Sequence, residues 1–233
     1  MGGLVNFRRG EKLNEACNQK LSSLYESHKN ELFSAPQKCT GKMHGPFLVC
    51  SQDEYWKSNI KISFVGQETR GWSCKGSVTE QMDKHKSFAL GKGYHSSPFW
   101  NVIRKFEERI CGSKYNSSWL NLNRYDQNKK RPNEENRKIL SELDFLVLKE
   151  LEILAPDVVI FFTGPIYDGR VKSLLCGELI GVSGFTKREL CLVKSQHLGA
   201  KIIRTYHPNY LRRSGLEEKV IDAVVSIALN GGA

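Results

Sequence analysis

The segment from Ile139 to Gly164 does most to restrict what this chain can fold into. Leu140, Leu143, Leu146, Val147, Leu151 and Leu154 recur at helical spacing across Ile139–Leu154, and Pro156 stops the pattern. Val158-Val159-Ile160-Phe161-Phe162 then runs apolar without alternation to Thr163 and Gly164. A strand hidden on both faces reads this way, and such strands belong to parallel sheets covered by helices. Three other stretches share the character. Ile60, Ile62, Phe64 and Val65 end at Gly66, Ile202 and Ile203 lead towards His207, and S-W-L-N-L-N-R covers 118–124. The expected class is α/β: three α/β/α layers around a central, mostly parallel four-stranded sheet. Its strands end at Gly66, Asn121, Gly164 and His207, with Leu190–Val193 as a candidate edge strand and 216–229 as a closing helix.

The 233 residues suffice for one such domain with an appendage. Leu13, Cys17, Leu21, Leu24, His28 and Leu32 predict a long amphipathic helix over roughly 12–33. Residues 1–58 therefore read as an N-terminal helical extension and 59–233 as the main domain. Phe47–Cys50 is a short apolar strand or packing segment. No apolar run approaches the ~18 residues of a membrane span, and the first ten residues lack the apolar core of a secretory signal. The 7 cysteines are odd in number and form no C-x-x-C. Neither a disulfide framework nor a metal or other cofactor is expected, and a reducing cytoplasmic setting is. The net charge of +10, from 35 Lys and Arg against 25 Asp and Glu, suits a polyanionic partner.

The chemistry sits where these strands end. Ligands in an open α/β sheet bind beyond the carboxyl ends of the strands. Gln67, Glu68 and Arg70 follow Gly66, and His207-Pro208 follow the Ile202–Ile203 run. Lys75, Lys84, His85, Lys86 and Lys92 make the next stretch basic. Ser97-Pro98 opens a helix carrying Phe99, Val102, Ile103, Phe106 and Ile110, and Asn133 stands as the cap of a further helix.

The pair G-Q-E and T-Y-H-P-N-Y-L-R, with S-W-L-N between them, resembles the signature loops and strand of the uracil-DNA glycosylase superfamily over about residues 60 to 230. E-L-E-I-L-A-P-D-V-V-I-F-F-T-G resembles a helix–strand unit of the same family. The resemblance implies hydrolysis of the N-glycosidic bond of a damaged or modified, uracil-like base flipped out of DNA by a monomeric enzyme. It implies Glu68 as the carboxylate near the sugar, His207 as donor to the leaving base, and Asn121 as reader of the base edge, with Gln67 also at the base. Phe88, Tyr94 and Phe99 are the candidates for the stacking ring. Leu211 matches the leucine that fills the gap in the duplex, and Arg212 and Arg213 would meet phosphate. Two features depart from the family pattern. Arg70 stands where uracil-specific members have a tyrosine, and the cysteines of the iron–sulphur branch are missing. A catalytically silent nucleic-acid-binding module on the same fold is the alternative.

Overall fold

The computed structural model describes residues 2–72 and 76–230; Lys75, counted above in the basic stretch, lies outside them. In chain order the elements are α1 (Gly2–Ser27), α2 (Lys29–Ser34), β1 (Met43–His44), α3 (Asp53–Lys57), β2 (Ile62–Gly66), α4 (Val78–Phe88), α5 (Pro98–Cys111), β3 (Ser118–Asn121) and β4 (Asp126–Gln127). They continue with α6 (Glu134–Leu140), α7 (Asp144–Leu154), β5 (Val158–Phe161), α8 (Asp168–Leu175), β6 (Glu178–Gly181), β7 (Leu190–Lys194), β8 (Lys201–Thr205), α9 (Pro208–Arg213) and α10 (Glu217–Leu229).

The central sheet runs β3-β2-β5-β8-β7-β6. The first four strands are parallel and buried along their length apart from Lys201, with β5 apolar throughout and Ser63, Ser118, Asn121, Arg204 and Thr205 as buried polar members of the others. The sheet has six strands rather than the expected four, because β7 and β6 add an antiparallel hairpin to β8. Strand β6 is short and mostly exposed, so it lacks an apolar signature. Register sets the working edge. Gly66 lies opposite Asn121, Val65 opposite Phe161, and Phe161 opposite Arg204. The loops after β2, β3, β5 and β8 therefore open on the same side. Two helical groups flank the sheet, α5 with α9 and α10, and α1 with α3, α7 and α8. Phe64 of β2 packs on Phe106 of α5 and stacks on Phe162, with ring centroids 5.7 Å apart in the stack.

Helix boundaries differ from the periodic reading in two places. The segment expected as one helix over 12–33 breaks after Ser27, and Leu13 is exposed while Cys17, Leu21, Tyr25 and Leu32 are buried. The helix expected over 139–154 is split by a 3-10 turn at Ser141–Leu143, which keeps Leu140 and Leu143 inward without continuing α6. Asn133 does cap α6, accepting from Asn136 N at 2.8 Å, but Ser97 makes no side-chain cap bond to α5.

The N-terminal helices share the core of the sheet domain. The Tyr25 hydroxyl bonds to Glu150 and accepts from Val49 N at 3.0 Å. Arg124 donates to Glu150 at 2.5 Å and to the Phe47 carbonyl at 3.2 Å. Tyr25, Arg124 and Glu150 are wholly buried, so removing Arg124 or Glu150 would strand the charge of the other at a cost of about 3–5 kcal/mol. Phe47–Cys50 is accordingly a buried extended segment outside any strand.

Candidate functional site

Strand β2 delivers the first loop at close quarters with β3. A Cβ on Gly66 would lie 2.3 Å from Asn121 Oδ1, so glycine leaves the space that the Asn121 side chain occupies. Beyond it the loop is pinned by Asp126, which is fully buried. One carboxylate oxygen accepts from Gly71 N at 2.5 Å, Trp72 N at 3.3 Å and Thr69 Oγ1 at 3.3 Å. The other meets His44 Nδ1 and Lys129 N, both at 2.8 Å. Sequence reasoning missed this anchor, because its partners are remote in the chain.

Glu68 stands in this loop with its carboxylate nearly enclosed. Asn123 Nδ2 donates to its Oε2 at 3.2 Å and the Tyr167 hydroxyl donates at 3.3 Å. Arg131 Nε lies 3.9 Å from its Oε1. Burial raises the carboxyl above its ordinary value, against the pull of Arg131, Asn123 and Tyr167. Asn123 is itself held. Its Oδ1 accepts from Arg170 at 2.7 Å, and Arg170 is clamped by Asp144.

His207 stands just past β8, at the start of α9. Its Nδ1 accepts from Asn209 N at 3.2 Å, which places the proton of a neutral ring on Nε2. The ring stacks on Phe99 at 5.5 Å between centroids. Burial, reinforced by Arg131, Arg70 and Arg213, pushes its pKa down to about 4. His207 is therefore a neutral N–H donor at physiological pH.

Glu68 and His207 both line two adjoining cavities. The first, of about 490 Å³, is walled by Phe88, Tyr94, Phe99, Trp72, Trp100 and Trp119 and has Asn121 in its lining. Asn121 is 1% exposed, and its Nδ2 has no partner among the described residues. The indole N–H groups of Trp72 and Trp119 are also buried without acceptors among the described residues. The second cavity, of about 700 Å³, carries Arg70, Lys130, Arg131, Arg188 and Arg213, with Glu68 as its one lining carboxylate.

The site thus gathers Glu68, His207, Gln67, Asn121, Phe88, Tyr94 and Phe99 around one opening. Three sequence expectations need correction. The Gln67 side chain is engaged in the scaffold: its Nε2 donates to the Thr163 carbonyl at 2.8 Å and its Oε1 accepts from Arg131 at 2.6 Å. A buried amide requires such partners, and with one bond at each end the side chain is held as part of the scaffold while it lines both cavities. Leu211 is fully buried in the core, since α9 turns it inward and leaves Tyr210 protruding. Arg212 lies 3.5 Å from Glu217 outside both cavities, whereas Arg213 lines the cationic one. Among the described residues, no group of three His, Cys, Asp or Glu stands ready to hold a metal ion, and no helix is long and apolar enough to cross a membrane.

Compared with protein-family models and with curated proteins, the chain matches none.

Proposed function

We propose that this chain is a DNA glycosylase that hydrolyses the N-glycosidic bond of a damaged or modified, uracil-like base extruded from DNA. One observation carries the reading. A desolvated carboxylate, Glu68, and a neutral imidazole donor, His207, arrive from distant parts of the chain to line the same aromatic cavity.

Breaking this bond leaves the base with negative charge and the sugar cation-like at its anomeric carbon. The Glu68 carboxylate offsets that positive charge and orients the attacking water. The Nε2–H of His207 donates to the departing base oxygen. The ring is already neutral, so the donor is set before the bond stretches. The aromatic walls exclude water and offer faces for stacking, and the unpartnered Nδ2 of Asn121 meets an acceptor on the base edge. The test is formation of abasic sites in oligonucleotides carrying uracil, hypoxanthine, xanthine or substituted pyrimidines. Cleavage of one member supports the reading. Inactivity on all of them, with DNA still bound, favours a silent binding module, in which the Asn123, Tyr167 and Arg131 contacts to Glu68 are purely structural.

A further inference from the structure

The larger, cationic cavity shares Glu68 and His207 with the aromatic one, but its cations take no part in the chemistry above. Five cations line it, and among the described residues only Arg131 has a carboxylate within 4.0 Å, the Glu68 of the site itself. The loop bearing Arg188 is fixed from below. The fully buried Arg204 donates to the Arg188 carbonyl at 2.8 Å and to the Lys187 carbonyl at 2.6 Å. Along the same cavity stand side chains a soluble surface ordinarily hides. Tyr210 is 46% exposed and Ile166 57% exposed. Tyr206 backs Tyr210 with ring centroids 4.2 Å apart. Phosphate-binding charge beside a braced, outward-facing ring is what a polynucleotide with unstacked bases needs. A closed duplex offers no free base face to such a ring. Nor is Leu211 available to fill the gap a base leaves in a duplex, since it is sealed in the core. A base in an unpaired strand is extruded at least cost and leaves no such gap.

We propose that this cavity and the Tyr206–Tyr210 pair form a second binding lobe for an unpaired DNA strand. Arg188, Lys130 and Arg213 hold its phosphates, and Tyr210 stacks the base next to the one entering the aromatic cavity. The proposal rests on the glycosylase reading for the base in that aromatic cavity, and its test separates the two. The full chain is titrated against a labelled oligonucleotide of ordinary bases, single-stranded or annealed to its complement. The single strand should bind more tightly. Tyr210→Ala should weaken single-strand binding roughly tenfold and leave duplex binding unchanged, while Tyr210→Phe keeps wild-type affinity. Arg188→Ala should lower the salt slope of single-strand binding by about 0.7. Equal or tighter duplex binding, or a single-strand affinity indifferent to Tyr210→Ala, would overturn the lobe. Failure to excise any base with the Tyr210 dependence intact would remove the glycosylase reading and leave the lobe standing. Excision confined to duplex substrate, with Tyr210→Ala neutral, would do the reverse.

Discussion

Asn123 donates its side-chain amide to Glu68 at 3.2 Å while its carbonyl oxygen accepts from Arg170 at 2.7 Å. The contact makes Asn123 a positioning residue: it orients the carboxylate and favours its charged form against burial. Asn123→Asp keeps the size and the Arg170 contact but sets a second carboxylate beside the first. Like charge should raise the Glu68 pKa further, so the acid limb of the excision profile moves to higher pH. Single-turnover rates across pH would show this; a structural role alone would lower the rate without moving the limb.

Asn121 and Asn123 sit two residues apart yet do different work. The Nδ2 of Asn121, unpartnered among the described residues, lies beside the aromatic walls, and on the proposed function it would meet a base before any bond breaks. Asn121→Asp should change which base is accepted as well as the rate, because a mismatched polar edge leaves groups unpaired. The check is a competition among modified oligonucleotides, in which wild-type preferences retained by the variant would argue against it.

Gly66→Ala tests the same corner sterically. The added carbon would meet Asn121 Oδ1 at 2.3 Å, in a strand end that is fully packed. Displacing the Asn121 side chain should cost about 1–3 kcal/mol of stability and blunt base discrimination. Urea unfolding beside the competition assay would register both effects.

Acid should unfold the protein partly through two histidines. His85 is held between Cys50 N and the Trp119 carbonyl, and burial pushes its pKa down to about 4; that of His207 is also about 4. An unfolded histidine titrates near 6.5, so between about 6.5 and 4 the unfolded state binds more protons. The stabilisation is therefore complete above pH 6.5 and is lost as pH falls through that window, by about 3 kcal/mol per histidine. Urea midpoints measured from pH 7 to 4 should fall, and less so in His207→Ala, which no longer carries one of the two groups.

Much of this arrangement was legible in the sequence. The four parallel strands show as short apolar stretches, unbroken only in β5, and their ends bring Glu68 and His207 to one edge. What escaped has physical causes. Strand β6 is an exposed edge whose residues need not be apolar. The 3-10 turn at Ser141–Leu143 preserves the inward spacing of leucines, so periodicity alone runs through it. Spacing after His207 picks out Leu211, but the turn of α9 decides that Tyr210 faces outward instead. The supports of the site, Asp126 and the Asn123–Arg170–Asp144 chain, are made of pairings between remote residues that no local pattern encodes.

The carboxylate is the centre of the account, and one paired measurement reaches it most directly. Once a substrate base is found, single-turnover excision and equilibrium DNA binding are measured for wild type, Glu68→Gln and His207→Ala. Both groups act as the transition state forms, so each change should slow excision about a hundredfold to a thousandfold while DNA is still held. Full activity in Glu68→Gln would remove the carboxylate from the mechanism and contradict the assignment.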